Sequence, residues 1–130
     1  MSTIDKSIKF ISINIALITI SDTRNEEDDK SGKLLQSRII NLGHVVSKKL
    51  IISDNIDQIK KTLSDLSKNQ LIDAIITTGG TGLTGRDSTP EAIINLSEKI
   101  IDGFGELFRQ ISFNKIGTST IQSRAIAGII

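Results

Sequence analysis

A glycine-rich segment, Thr77-Thr78-Gly79-Gly80-Thr81-Gly82-Leu83-Thr84-Gly85-Arg86-Asp87-Ser88-Thr89-Pro90-Glu91, leaves the apolar run Leu71 to Ile76 and leads into a helix start. Few folds accommodate that order. Residues without Cβ let backbone N–H groups meet a ligand closely, and the helix that follows points its positive end at the same space. Such a turn suits a phosphate or nucleotide, and Asp87 adds a carboxylate that could hold the metal counter-ion. A tight turn with no ligand fits the glycines equally well.

The rest of the chain supplies the frame that such a turn needs. Ile13 to Ile20 is nearly continuous hydrophobe, as in a strand covered on both faces. Ser21 to Ser31 is polar and reads as a loop, with Glu26–Asp29 a solvated acidic run rather than a metal cage. Leu35, Ile39 and Leu42 stripe a helix over 32–42, which Gly43 ends. Val45 to Ile52 is a second strand, placed near a sheet edge by Lys48 and Lys49.

Asp54 or Asn55 then caps a helix reaching Lys68, striped by Ile56, Ile59, Leu63 and Leu66. Leu71 to Thr78 is the third strand. Thr89 as N-cap, Pro90 and Glu91 open the next helix. Phe104, Leu107, Phe108 and Ile111 stripe a later one that stops by Gly117, and a short helical segment is expected over 120–126.

Alternating strands and helices with near-continuous apolar strands predict one α/β domain with a mostly parallel sheet. With the first strand between the other two, the loops after strands one and three open a crevice where such sheets bind ligands.

Composition narrows the function. A length of 130 residues suits one domain, and a net charge of +1 gives no electrostatic case for nucleic acid. With Phe the only aromatic residue, no platform for stacked bases stands out. The absence of cysteine excludes disulfides, thiolate zinc and a Cys nucleophile. His44 is the only histidine, and after Gly43 it reads as a structural imidazole rather than a triad member. The run Phe10 to Ile20 resembles a signal peptide, but Ser12 and Asn14 interrupt it and it is too short to span a bilayer. It is read as the first core strand of a soluble cytoplasmic protein.

Within the glycine segment, Gly80-Thr81-Gly82-Leu83-Thr84-Gly85 matches G-x-G-x-x-G. A dinucleotide site would start its helix inside that motif, whereas Pro90 marks a later start. No Gly-Lys-Ser/Thr follows, so it is not a Walker A loop either. Asp87 fits either a local turn or a Mg²⁺ ligand, and Arg86 a solvated charge. Asp54 fits either a helix N-cap or a group reaching the crevice, and Arg124 either an anion site or a helix surface.

Taken together, these residues resemble the molybdenum cofactor biosynthesis family. Thr77 to Thr84 with Arg86 to Ala92 resembles its signature, and Ile18 to Arg24 with Asp29-Lys30-Ser31-Gly32 its first strand and loop. Gly103 to Arg109, Gly117-Thr118-Ser119 and Ser123-Arg124-Ala125 are similar to its protein B branch.

The resemblance implies a three-layer α/β/α molybdopterin-binding fold that assembles as trimers or hexamers. It also implies Mg²⁺- and ATP-dependent adenylylation of molybdopterin, with other proteins of that pathway as partners. Carried over by position, Asp87 and Asp54 are the essential acids, with Asp87 at the metal. Thr78, Gly79, Gly80, Thr81 and Gly82 hold phosphate, while Ser21, Asp22, Ser31 and Ser123 line the pocket.

Relatives continue past the match to Ala125–Gly128 into another core strand, a loop and a helix, so a C-terminally truncated domain is expected. Two other functions stay open. One is a pterin-binding or scaffold module without chemistry. The other is a nucleotide-recognition domain like those fused to competence-damage proteins, against which the segments from Gly103 to Ala125 argue.

Overall fold

The computed structural model describes residues 4–130. Its centre is β1 (Asn14–Ile20), flanked by β2 (Val45–Ile52) and β3 (Ala74–Thr78) in the parallel order β2-β1-β3. Every residue of β1 after Asn14 is buried, which is why the run carries no polar alternation. One register shift, between Ile15 and Ala16, separates the two halves of the β1–β2 ladder. β2 lies at an edge as expected, with Lys48 exposed and Lys49 half-buried.

The helices divide between the two faces of this sheet. Ala16, Ile18 and Ile20 pack with Ile59, Leu63 and Leu66 of α2 (Ile56–Ser67) and Ala92 of α3 (Thr89–Leu96). Burying each large side chain there contributes roughly 1.5–3 kcal/mol before entropy is counted. On the other face Thr19 meets the start of α1 (Lys30–Asn41) through Asp29. The layers are therefore α/β/α, with helices on both sides of a parallel sheet.

Beyond α3 come β4 (Lys99–Ile100), α4 (Asp102–Ile116), a 3-10 turn over Gly117–Gln122 and β5 (Gly128–Ile129). The last segment pairs antiparallel with β4. Neither two-residue strand was expected, and the helical turn starts three residues before the 120–126 span predicted for it and stops at Gln122, inside that span. The apolar stripe of α4 is only half covered, with Phe104, Leu107, Phe108 and Ile111 each 47–57% exposed.

Three local differences have physical causes. β3 begins at Ala74, not Leu71, because the Asn69 side chain and carbonyl accept from the Leu71 and Ile72 amides and hold a turn. Asp73 then breaks the apolar run and accepts from the Asn14 amide at 2.8 Å. The acidic run is not wholly solvated. Asp29 is fully buried as the N-cap of α1, taking hydrogen bonds from Gly32 N at 3.0 Å and Thr19 Oγ1 at 2.7 Å. Thr89 is the first residue of α3 rather than its cap, for reasons that lie in the site.

Candidate functional site

The crevice predicted at the carboxyl ends of β1 and β3 is present, with a volume of about 450 Å³. That size lies within the roughly 300–1,000 Å³ of small-molecule sites. Its walls bring together Ser21, Asp22, Ser31, Asp54, Thr78, Gly79, Gly80 and Asp87 from the expected set. Ile20, Thr23, Arg24 and Arg86 complete the lining. Thr81, Gly82 and Ser123 lie outside that lining; Ser123 turns its carbonyl to Arg109 Nη1 at 3.4 Å.

The glycines are there because nothing else fits. Gly79 and Gly80 have φ of +94° and +68°, a region that L side chains avoid. A Cβ on Gly79 would strike the Ile20 carbonyl, and one on Gly80 the Thr89 hydroxyl. Thr89 fastens the turn from below. Its hydroxyl donates to Gly79 O at 3.0 Å and its amide to Gly80 O at 3.1 Å. Thr89 thus serves the loop through two carbonyls instead of capping α3.

Asp54 is nine-tenths buried and does not cap α2. Asn55 does that, accepting from Gln58 N at 3.0 Å. The Asp54 carboxylate instead faces the start of α3, accepting from Ser88 Oγ at 3.1 Å and Ser88 N at 3.3 Å. A carboxylate there complements the positive end of the helix.

Asp87 sits in its own turn, taking Thr84 Oγ1 at 2.6 Å and Thr84 N at 3.0 Å on Oδ2. The Thr84 hydroxyl and then its amide hold the Asp87 pKa below the ordinary carboxylate value, with the Gly82 amide and the Arg124 charge adding to the pull against some desolvation. Asp87 therefore stays ionised and acceptor-only, as a metal or phosphate counter-ion site requires.

Arg86 is no isolated solvated charge. Its Nε and Nη2 lie 3.1 and 2.7 Å from Asp22 Oδ2, while Asp22 Oδ1 accepts from Asp54 N at 2.9 Å. The Arg86 hydrogen bond, then the Asp54 amide, hold the Asp22 pKa low. Ser21 Oγ accepts from the amides of Thr23 and Arg24 at 3.2 and 3.1 Å and shapes the first loop, and Arg24 reaches Ser31 Oγ at 3.3 Å. The sequence singled out neither Arg24 nor Arg86 for the site; Arg86 carried one signal, its place beside Asp87 in the glycine segment.

His44 belongs to the other end of β1, where Nδ1 accepts from Ile13 N at 3.2 Å and the ring lies 5.1 Å from that of Phe10. It takes no part in the crevice. Among the described residues, no group of three or more His, Cys, Asp or Glu is arranged to hold a metal, and no helix is long and apolar enough to cross a membrane.

The family described as a probable molybdopterin binding domain matches residues 16–130. The chain belongs to that family. It is 44% identical over 123 residues to molybdenum cofactor biosynthesis protein B of Escherichia coli strain K12, covering 95% of this chain and 72% of that protein.

Among solved structures, a molybdenum cofactor biosynthesis protein B matches with TM-score 0.88 and 44% identity, over 92% of this chain and 75% of that one. The tungsten cofactor synthesizing protein MoaB of Pyrococcus furiosus matches with TM-score 0.80 and 38% identity, over 92% and 74%. The fold expected from the motifs is therefore that of the molybdopterin-binding family.

Proposed function

We propose that this molybdopterin-binding domain acts in molybdenum cofactor biosynthesis by transferring an adenylyl group from ATP to molybdopterin. One observation carries the reading: the sheet's two carboxyl-end loops enclose a crevice in which Gly79 and Gly80 leave no room for a Cβ, between Asp54, Asp87 and Arg86. In the reaction, a phosphate oxygen of the pterin attacks the α-phosphorus and pyrophosphate departs. No covalent nucleophile is needed, so positioning and charge compensation supply the catalysis.

In this reading the Gly79–Gly82 amides hold the phosphates and Arg86 compensates their charge. Ser21, Asp22, Ser31, Thr78 and Thr81 contact the substrates, and Ser123 borders the pterin end. Mg²⁺, which can bind through one or two carboxylates and substrate phosphates, would neutralise triphosphate charge at Asp87, with Asp54 beside it. A homo-oligomer, trimer or hexamer, belongs to the same proposal, supported by the half-exposed apolar stripe of α4. So do a cytoplasmic location and partners in the same pathway.

Asp87→Asn should abolish Mg²⁺-dependent incorporation of AMP into molybdopterin while leaving the far-UV circular dichroism unchanged. Retained turnover would defeat the role given to Asp87. A second reading, a pterin-binding module without chemistry, is favoured by the two Thr84 hydrogen bonds that already engage Asp87 Oδ2. Calorimetry separates the two, because a pterin carrier shows no Mg²⁺-dependent binding of ATP.

A further inference from the structure

We infer that Arg124 is the positioning residue of the glycine loop, and that Arg109 of α4 holds it in place. Arg124 is 42 residues from the loop in sequence, yet all three of its guanidinium nitrogens are committed to the loop and its exit. Nε donates to Gly82 O at 2.9 Å, Nη2 to Asp87 O at 3.0 Å, and Nη1 pairs with Glu91 Oε1 in the first turn of α3. The planar fork thereby fixes both ends of the Gly82–Asp87 arch and the helix that follows. A Lys has one flexible point charge and cannot hold two carbonyls and a carboxylate at once.

The Glu91 carboxylate depends on this partner. Its Oε2 is covered and has no hydrogen-bond partner, and the Arg124 hydrogen bond is the foremost cause that keeps its pKa low. With every nitrogen facing protein acceptors, Arg124 is a brace rather than an anion site.

Arg124 is itself braced. Arg109 Nη1 donates to the carbonyls on either side of it, Ser123 O at 3.4 Å and Ala125 O at 3.1 Å. Gly105 allows that approach, since a Cβ there would lie 2.7 Å from Ala125 O. A chain of contacts therefore runs from α4 through Arg109 and Arg124 to the amides assigned to phosphate. The inference rests on the proposed phosphate role of those amides, and its test reads the loop separately from the ligand.

Amide hydrogen exchange should be compared in wild type, Arg124→Lys, Arg109→Lys and the surface control Lys61→Ala. The two Arg variants should speed exchange across residues 80–88 by about tenfold or more, with β1 and α2 unchanged. Mg²⁺·ATP affinity should fall by a similar factor, and methylguanidinium added to Arg124→Ala should restore part of it. Unchanged exchange in the loop, or a uniform rise through β1 and α2, would overturn the inference. Wild type that binds no Mg²⁺·ATP overturns only the adenylyl-transfer reading, because the exchange pattern decides the brace by itself.

Discussion

The two loops that face each other across the crevice are held by opposite means. The first, from Ser21 to Asp29, closes on itself. Ser21 Oγ, Asn25 Oδ1 and Asp28 Oδ1 all accept from amides within three residues, and Asp29 anchors the end in the core. The second, from Gly79 to Ser88, is held mainly from outside, by Thr89, Asp54 and Arg124. A loop of small residues has few side chains with which to fold onto itself, so remote groups must supply its shape. The consequence is that damage to the second loop can come from far away in sequence, whereas damage to the first should come from within it.

The largest effect should follow a methyl group placed where the second loop is tightest. Gly80→Ala must hold φ near +68° with its Cβ against the Thr89 hydroxyl and 3.2 Å from Asp54 Oδ2. The left-handed backbone and the overlap together should cost about 2–4 kcal/mol, read as a lower denaturant midpoint. Gly85→Ala is the companion, since nothing lies within 4 Å of its Cβ position. It should stay within about 0.5 kcal/mol of wild type. Equal losses at both sites would erase the distinction between a packed glycine turn and an ordinary loop.

Next in size is the anchor of the first loop. Asp29→Ala removes a helix N-cap and leaves Thr19 Oγ1 without its buried acceptor, for about 2 kcal/mol. Burial alone raises the Asp29 pKa, but the Thr19 hydroxyl, the Gly32 amide and the charges of Lys49 and Arg24 outweigh it and leave the pKa below the ordinary value. A depressed folded pKa stabilises above the unfolded value, near 3.9, and that stability fades as pH falls through the folded one. Acid titrations of wild type and Asp29→Ala should therefore converge at low pH. A gap that held constant through acid would assign the loss to packing alone.

These two loops also differ in how far the sequence disclosed them. The glycines announced close approach because a Cβ would block it, and Gly79 and Gly80 proved to need it and to hold positive φ as well. The core strand was equally plain, since Ile15 to Ile20 is buried on both faces. Asp29 was misread among its acidic neighbours, because composition records charge and not the space beside it. The signal was present in Asp29-Lys30-Ser31-Gly32, an N-cap followed at its third position by a residue small enough for Asp29 to lie against. Arg124, Arg109 and the β4–β5 pairing left no such trace. Each depends on a contact between distant segments, and a two-residue strand is too short to show a period.

The smallest effect belongs to the exposed Arg86–Asp22 pair, which joins the loops directly. An exposed ion pair exchanges hydration for attraction with little net gain, so Arg86→Ala should leave the melting temperature within error of wild type. Its signature is electrostatic instead. Because Arg86 is the first cause of the low Asp22 pKa and the Asp54 amide the second, losing Arg86 should raise the Asp22 titration midpoint without restoring it fully. Carboxyl-carbon NMR titration would follow that shift. Added salt, which screens exposed charges over about 10 Å at 0.1 M, should raise the wild-type midpoint in the same direction and move the variant less. A midpoint indifferent to both the substitution and salt would mean that the two loops meet at the crevice without being tied across it.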